Sequence, residues 1–290
     1  MKHYDLCIYG YGKWAQKFIP NLNKKFLIKK IITNKKLNSK IFTSKNIKKQ
    51  LMVCDIVYLA KDFNRNYIFF KKYHKFIKNV VFEKPLSNSL IKINRIINIC
   101  NDNKIKCIVS YPQNYSNIYN KINFKLGIKK IILRNLGNGP ERKFIDPIND
   151  YIPISIILLI NMFNGKFPTD ITPITKILKN NQKKNRITYH SKFSINDTKI
   201  DIKIGNDSKK RFNYLICHYD NGDIIKYDFN KNEVIKNKIT IKSIKSNDNI
   251  SNMLDYLIKN NHNTLNKKLT NEIVSYKMKH LILPKQYINF

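Results

Sequence analysis

Residues 4–15 read YDLCIYGYGKWA, and the architecture that we expect follows from this stretch. The apolar run from Tyr4 to Tyr9 predicts a short buried strand, and residues 10–15 then fit the motif G-x-G-x-x-(G/A). In this motif Gly10 permits a tight turn, Gly12 lets a pyrophosphate approach the backbone, and Ala15 lets a helix pack closely on the strand. An ordinary glycine turn is the alternative, but a strand before the motif and a helix after it favour dinucleotide binding.

Short apolar runs alternate with amphipathic segments through the first third of the chain. The predicted strands are Tyr4–Tyr9, Phe26–Ile32, Asp55–Ala60, Asn79–Phe82 and Lys106–Ser110. The predicted helices are Trp14–Leu22, Asn66–Ile77 and Ser89–Asn101. Strands that alternate with helices form a parallel sheet with right-handed crossovers. We therefore expect an α/β Rossmann domain with a doubly wound parallel sheet over residues 1–112.

The pattern changes after Pro112, where longer β-like runs replace the alternation. The predicted strands are Lys129–Asn135, Arg186–Phe193, Lys199–Ile204, Phe212–Tyr219, Ile224–Phe229 and Lys238–Ile244, with a hairpin turn at Asn221-Gly222. The predicted helices are Ser116–Phe124, Asn149–Phe163, Asn249–Lys259 and Asn266–Leu281. This order of elements predicts an α+β domain over residues 113–290, with a largely antiparallel sheet that serves substrate binding and oligomerisation.

The net charge of +36 raises the hypothesis of a nucleic-acid-binding protein. The cations are nearly all lysine, and they are spread over the predicted strands, helices and loops alike. A surface that reads nucleic acid would concentrate its charge and favour arginine. We therefore expect no specific nucleic-acid partner.

The apolar content predicts a folded protein, since 42% of the residues are hydrophobic and 12% are aromatic. Five cysteines without C-x-x-C spacing predict buried, reduced thiols and no metal site. The longest apolar stretch, residues 152–163, is shorter than the roughly 20 residues that span a bilayer. No secretory signal is visible, so we expect a cytoplasmic protein without a membrane partner.

The end of the second predicted strand bears on the choice of cofactor. An NAD site usually carries an acidic residue there, which holds the ribose 2′-hydroxyl. This chain instead has Thr33-Asn34-Lys35-Lys36, and a hydroxyl, an amide and two cations suit a 2′-phosphate better. The sequence therefore favours NADP over NAD, with the general abundance of lysine as the alternative explanation.

Residues 80–87 read VVFEKPLS, so that a strand ends in Glu83-Lys84-Pro85. This stretch, together with the glycine motif and the β-rich second part, resembles the glucose–fructose oxidoreductase/inositol dehydrogenase/MocA (Gfo/Idh/MocA) family. The resemblance implies that Lys84 lies beside the nicotinamide as a general acid/base, and that Pro85 marks a special backbone turn such as a cis peptide. The alternative is a solvated lysine in a lysine-rich chain.

A second stretch, residues 149–154, is similar to the family's D-x-x-x-H motif. Asp150, Tyr151 and Pro153 match it, while Ile154 stands where the family has a histidine. A general base of that kind contributes on the order of 10²–10⁴ in rate, and isoleucine cannot accept a proton. Three outcomes stay open: Lys84 acts alone, Asp150 or Tyr151 takes over part of the role, or the chain binds ligand without turnover.

The resemblance thus implies hydride transfer between NADP or NAD and a sugar or nucleotide-sugar derivative, in a homo-oligomer. The residues expected at the cofactor are Gly10, Gly12, Lys13, Trp14, Ala15, Thr33, Asn34, Ala60, Glu83 and Lys84. The residues expected to act in catalysis are Lys84, Asp150 and Tyr151, and those expected at the substrate are Arg142 and Asp150. A surface charge is the alternative for Arg142.

Overall fold

A computed structural model describes residues 2–34, 42–43, 46–122, 127–138, 147–163, 174–179, 186–243 and 248–282. The contacts divide the chain into two compact units. The first unit combines Met1–Tyr115 with Asp248–Ile273, and the second combines Ser116–Asn247 with Val274–Phe290. The sequence analysis expected the first domain to end at residue 112. The contacts extend the first unit to Tyr115 and also assign the later segment Asp248–Ile273 to it.

The first unit is built on a six-stranded sheet in which every pair of neighbouring strands is parallel. Its strands are β1 (Tyr4–Tyr9), β2 (Phe26–Ile32), β3 (Phe42–Thr43), β4 (Ile56–Leu59), β5 (Asn79–Glu83) and β6 (Lys106–Ser110). Their order is β3-β2-β1-β4-β5-β6, which is the doubly wound order of dinucleotide-binding folds. The predicted Rossmann sheet is confirmed.

The described residues of this unit form six α-helices. They are α1 (Lys13–Phe18), α2 (Ile47–Met52), α3 (Phe63–Tyr73), α4 (Leu90–Asp102), α6 (Asn249–Lys259) and α7 (His262–Leu269). Helices α6 and α7 bury Met253, Leu254, Leu257 and Leu265 in the same core as the strand residues Leu6 and Ile8. Polar contacts add to this packing, because Lys106 Nζ donates to the Ile258 carbonyl at 3.0 Å. Apolar burial thus explains why the C-terminal segment joins the first unit.

The turn between β4 and α3 is held by Asn66, a polar side chain with no exposed surface. Its amide nitrogen donates to the carbonyls of Leu59 at 3.0 Å and Lys61 at 2.8 Å, and its oxygen accepts from the Lys61 N–H at 3.1 Å. Asp62 then caps α3 by accepting from the Arg65 N–H at 3.0 Å. The backbone at the carboxyl end of β4 is therefore fixed by one side chain.

The second unit is built on an eight-stranded sheet. Its strands are β7 (Ile128–Leu136), β8 (Ile174–Lys179), β9 (Ile187–Ile195), β10 (Thr198–Gly205), β11 (Phe212–Tyr219), β12 (Ile224–Asp228), β13 (Glu233–Lys236) and β14 (Ile239–Ser243). Their order is β14-β13-β12-β11-β7-β10-β9-β8, and only the β7–β10 pair is parallel. Helix α5 (Pro147–Met162) packs against β7 and β10, so the predicted α+β class with a largely antiparallel sheet is confirmed.

Two helix predictions were wrong in detail. In the described part of the predicted helix 116–124 there is only a three-residue turn, Tyr119–Lys121, and the Ser116 hydroxyl accepts from the Tyr119 N–H at 3.1 Å. Serine and asparagine side chains of this kind compete with the helical backbone bonds. The single helix predicted over 266–281 is two helices, α7 and α8 (Asn271–Ile282), separated at Thr270.

Substituting Asn66 by alanine should lower the free energy of unfolding by about 1–3 kcal/mol, because three backbone groups, one of them fully buried, lose their partner. Asn64→Ala is the matched control, since that exposed amide accepts only from Lys92 Nζ at 2.7 Å. Denaturant unfolding of both variants measures the difference. Equal stability of the two variants would show that the β4–α3 turn does not depend on Asn66.

Candidate functional site

The candidate site lies along one edge of the first sheet, where the parallel strands end. The turn after β1 holds Gly10, the turn after β2 holds Thr33, and β4 is followed by Ala60. Glu83 ends β5 and pairs with Ser110 at the end of β6. Because the carboxyl ends of parallel strands share one edge, the residues predicted at the cofactor in these turns are brought together.

The two glycines of the turn after β1, Gly10 and Gly12, have different structural roles. Gly10 has φ +105°, its N–H donates to the Ile32 carbonyl at 2.9 Å, and a Cβ placed on it would lie 2.7 Å from Lys61 Cγ. Gly10 is therefore required by the fold itself. Gly12 precedes α1 with an ordinary φ of −88°, and among the described residues no atom lies within 4 Å of a Cβ placed there. The space in front of Gly12 is open, and no side chain caps the first turn of α1.

Lys61 is a residue of this edge that the sequence analysis missed. Its Nζ lies 4.6 Å from the centroid of the Tyr9 ring, beside the glycine turn. Burial, and then the charge of Arg65, lower the pKa of Lys61 below its ordinary value. Its place directly after Ala60 at a strand end was visible in the sequence, but the high lysine content of the chain concealed it.

A buried hydrogen-bond network centres on the hydroxyl of Tyr58. Trp14 Nε1 donates to this hydroxyl at 2.7 Å, and the hydroxyl donates to the carboxylate of Glu83. The Ser110 hydroxyl oxygen lies 3.3 Å away, and Phe18 stacks on the Tyr58 ring with the centroids 4.2 Å apart. Burial, and then the Glu83 carboxylate, raise the pKa of Tyr58 well above its ordinary value. Tyr58 therefore stays protonated and remains a donor to Glu83.

The peptide bond between Lys84 and Pro85 is cis, so the special turn implied by the family resemblance is present. Lys84 is half-buried and directly follows the anchored Glu83. Of the other predicted cofactor residues, Thr33 is buried, and Asn34 and Lys13 are exposed. Trp14 keeps 36% of its surface exposed although its indole N–H is bonded to Tyr58, and Ala15 is fully buried.

A buried acid, Glu272, lies near this network. The Tyr111 hydroxyl donates to Glu272 Oε2 at 3.2 Å, and both residues are buried. Burial raises the pKa of Glu272 from its ordinary value of 4.5 to about 8, while the hydrogen bond from Tyr111 acts in the opposite direction. The charge of Glu83 also contributes to the raised pKa of Tyr111, after burial and Glu272. Glu272 is distant in sequence from the motifs, so no local pattern indicated it.

In the second unit, Tyr151 lies on α5 and approaches the end of β7. A Cβ placed on Gly137 would lie 2.8 Å from the Tyr151 hydroxyl oxygen, so the glycine makes room for this side chain. Next to Gly137, Arg186 donates to the side chain of Asn138 and, at 2.6 Å, to the Asn206 carbonyl. Arg186 thus places a cation against the residue that follows Gly137, which the sequence analysis did not foresee.

The other site residues predicted in the second unit are Ile154, Asp150 and Arg142. Ile154 lies half-buried in the middle of α5. Asp150 belongs to the same helix, but its side chain is outside the described part of the structure. Arg142 also lies outside the described residues. Across the residues that are described, no three His, Cys, Asp or Glu side chains form a group that could hold a metal ion, and no helix is long and apolar enough to cross a membrane.

Solved structures show where this architecture occurs. A Gfo/Idh/MocA family oxidoreductase from Vibrio cholerae matches with a TM-score of 0.74 and 11% identity, over 96% of this chain and 98% of that one. UDP-N-acetylglucosamine 3-dehydrogenase from Acidithiobacillus ferrooxidans matches with a TM-score of 0.75 and 11% identity, over 98% and 100%. The chain has the Gfo/Idh/MocA fold.

Biliverdin reductase from Synechocystis, solved with biliverdin and NADP+, shares this fold with a TM-score of 0.69 and 14% identity, over 94% of this chain and 96% of that one. No family model matches the chain, and no curated protein matches it by sequence. The Gfo/Idh/MocA fold predicted from the glycine motif and Glu83-Lys84-Pro85 is therefore confirmed by structure, at identities where the sequences have diverged almost completely.

Tyr58→Phe should lower the free energy of unfolding by about 1–3 kcal/mol, since the Trp14 N–H loses its acceptor and Glu83 loses a donor. It should also change the fluorescence emission of Trp14, the only tryptophan of the chain. Tyr214→Phe, in a ring that Lys226 covers at 4.6 Å in the second unit, is the control and should leave the emission unchanged. An unchanged Trp14 spectrum in Tyr58→Phe would contradict the network.

The Glu272 carboxyl should make stability depend on pH. The folded protein keeps this proton up to about pH 8, whereas the unfolded chain loses it near 4.5, so between these values the folded state binds more protons. Stability should therefore fall as pH rises through this window, by at most about 1.4 kcal/mol per pH unit. Glu272→Gln should flatten the slope.

Denaturant unfolding at about four pH values between roughly 5 and 8 measures how the free energy of unfolding changes with pH in the parent protein and in Glu272→Gln. Glu233→Gln, at a half-buried carboxyl on β13, serves as the control and should keep the slope of the parent protein. If Glu272→Gln unfolds with the same pH dependence as the parent, Glu272 titrates as an ordinary carboxyl in the folded state.

Proposed function

We propose that the protein is an NAD(P)-dependent oxidoreductase of the Gfo/Idh/MocA family that acts on a sugar or nucleotide-sugar derivative. The observation that carries the proposal is that two predicted functional groups lie at the same edge of the first sheet, where its parallel strands end. The open glycine turn at Gly12 and the half-buried Lys84 lie on the ends of parallel strands of one sheet. This combination supports a dinucleotide and a proton donor acting side by side.

The glycine turn supports the placement of the dinucleotide. The space before Gly12 accepts a group that packs against backbone, and the first N–H groups of α1 have no side-chain cap. An anion such as a pyrophosphate satisfies these donors. Thr33 and Asn34 then flank the ribose of the dinucleotide. Ala60 has a small side chain, against which the groups next to that ribose pack. Neither residue after β2 is acidic, which favours NADP.

Lys84 is proposed as the group that holds and moves the proton of the reacting oxygen. When it is bound, the nicotinamide supplies or accepts the hydride. Lys84 donates a proton to a carbonyl oxygen during reduction, or takes one from a hydroxyl during oxidation. The adjacent Glu83 is anchored by Tyr58, so the strand end that carries Lys84 is held in place by a neighbouring side chain.

The substrate class rests on the second unit and on one structural neighbour. UDP-N-acetylglucosamine 3-dehydrogenase has the same fold over its full length. Asp150, Tyr151 and Arg142 are proposed to position a sugar, with Tyr151 held against Gly137. The homo-oligomer expected from the family resemblance stays a prediction.

A second candidate function is ligand binding without turnover. It is favoured by Ile154, because an aliphatic side chain replaces the family's histidine on α5. In this case the dinucleotide binds as proposed, and the chemical step lacks its second proton carrier. The two candidates make the same prediction for cofactor binding and different predictions for rate.

Titration with NADPH and NADH, followed by nicotinamide fluorescence and by quenching of Trp14, should show binding. Gly12→Val should abolish this binding without changing the melting temperature, because the new side chain points into open space. Gly10→Ala is the contrasting variant: its φ of +105° and the 2.7 Å approach to Lys61 Cγ should lower the stability of the fold.

Binding that survives Gly12→Val would contradict the proposed dinucleotide site. Failure of both nucleotides to bind to folded parent protein at millimolar concentration would exclude the oxidoreductase. The comparison of Gly12→Val with Gly10→Ala separates a lost ligand from a damaged fold.

Turnover should be tested with UDP-N-acetylglucosamine and NAD(P)+, and in parallel with biliverdin and NADPH. Lys84→Met should reduce kcat by about 10²–10⁴-fold, a much larger effect than its effect on nucleotide affinity. Ile154→His should raise the rate if the missing base limits oxidation. Turnover of the sugar nucleotide supports the first candidate, and nucleotide binding with no turnover in either the parent or Ile154→His supports the second.

A further inference from the structure

Lys61, which follows Ala60 at the end of β4, lies across the end of the neighbouring strand β1. A Cβ placed on Gly10 would lie 2.7 Å from Lys61 Cγ, so the stem of the lysine packs directly against the glycine backbone. The ammonium nitrogen lies 4.6 Å from the centroid of the ring of Tyr9, the residue that precedes Gly10. The side chain therefore starts at the end of one strand and places its charge beside the glycine turn of the next.

Both sides of this contact are held by other residues. The Asn66 side chain accepts from the Lys61 N–H at 3.1 Å and donates to the Lys61 carbonyl at 2.8 Å. The Tyr9 ring is stacked on the buried ring of Phe69, with the centroids 3.9 Å apart and the planes inclined by 20°. The backbone of Lys61 and the ring next to its ammonium group are thus fixed, and the charge has a defined position.

The described residues of this edge do not pair Lys61 with an acid. No ion pair among them includes Lys61. The adjacent carboxylate, Asp62, is directed at Arg65, since one oxygen accepts from the Arg65 N–H at 3.0 Å and the other lies 3.3 Å from Arg65 Nε. Burial, and then the charge of Arg65, lower the pKa of Lys61, while Asp62 opposes them. A half-buried cation in such surroundings is stabilised when an anion binds to it.

The glycine turn also connects Lys61 to the end of β2. The Gly10 N–H donates to the Ile32 carbonyl at 2.9 Å, and Thr33 follows directly in the chain. In the proposed dinucleotide site, the pyrophosphate approaches Gly12, and the 2′-phosphate of NADP approaches the residues after β2. Both phosphate positions border the turn against which Lys61 packs. A lysine ammonium group binds a phosphate oxygen as a point charge, without the fixed fork geometry of arginine.

We propose that Lys61 binds a phosphate group of the dinucleotide, so that its ammonium group acquires an anionic partner in the complex. This inference rests on the proposed function and deepens it, because it assigns a phosphate contact to a residue outside the glycine motif. Loss of the charge weakens the contact with the phosphate. The fold holds Lys61 by its backbone and its stem, and does not depend on the charge. Affinity and stability should therefore respond differently to substitution of Lys61.

The test measures the affinity of the full-length protein for NADPH and for NADH by nicotinamide fluorescence. Lys61→Met keeps the stem and removes the charge, and it should weaken binding about 10–100-fold, the range of a hydrogen bond to a charged group. Lys61→Arg keeps the charge and should retain most of the affinity. Lys72→Met is the matched control and should bind as the parent does, because the exposed Lys72 contacts the Tyr73 ring at 5.4 Å at the far end of α3.

The two nucleotides identify the phosphate group that Lys61 contacts. A loss of affinity for NADPH but not for NADH assigns Lys61 to the ribose 2′-phosphate, and an equal loss for both assigns it to the pyrophosphate. Unchanged affinity of Lys61→Met for both nucleotides overturns the inference and leaves the proposed function in place. Failure of the parent protein to bind either nucleotide is a separate result, which overturns the proposed function and this inference with it.

A second measurement needs no variant. Acetylation of the folded parent protein, followed by mass spectrometry of its peptides, reports how accessible the amino group of each lysine is. Saturating NADPH should slow the acetylation of Lys61 and leave that of Lys72 unchanged. Equal acetylation of Lys61 in the presence and absence of bound NADPH would contradict the phosphate contact, whatever the stability of Lys61→Met.

Discussion

The Tyr58 hydroxyl is buried in the sheet of the first unit, where it has both to find an acceptor and to serve as one. Trp14 on α1 donates to it, and Glu83 at the end of β5 accepts from it. Leaving either group without a partner in this apolar surrounding would cost more than the bond itself contributes. The helix that follows the glycine motif and the strand that leads to Lys84 are therefore both hydrogen-bonded, through a side chain, to the Tyr58 hydroxyl.

This arrangement explains how two distant sequence motifs come to lie at one edge of the sheet. The glycine turn at residues 10–15 and the Glu-Lys-Pro turn at residues 83–85 are far apart in sequence. The parallel sheet alone fixes the distance between them only through the register of its strands. The Tyr58 network adds a direct side-chain link, and the stacking of Phe18 on the Tyr58 ring keeps α1 against the sheet. Apolar packing and hydrogen bonding therefore define the same geometry, as is typical of sites supported by a rigid scaffold.

The features that could be predicted from the sequence are those with a local signature. Apolar runs located β1, β2, β6 and β11 to the residue, because buried strands need continuous or alternating hydrophobic side chains. The glycine motif and Glu83-Lys84-Pro85 likewise consist of neighbouring residues. The Ser116–Phe124 helix was wrong because apolar spacing ignored the competing serine and asparagine side chains.

The features that could not be predicted depend on contacts between distant segments. Tyr58, Glu272 and Arg186 gain their roles from partners that are remote along the chain, and Lys61 was hidden by the abundance of its residue type. Sequence patterns predict which elements form, whereas the partners of individual polar side chains follow from the folded topology.

The way that Asn66 holds the turn after β4 has a consequence for the energetics of binding. Its amide makes three bonds to the backbone around Ala60 and Lys61, so this turn loses its conformational entropy when the protein folds. A molecule that binds against the turn then meets a surface that is already ordered. The entropic cost of arranging the loop is absent from the binding equilibrium, and contacts there contribute to affinity nearly in full.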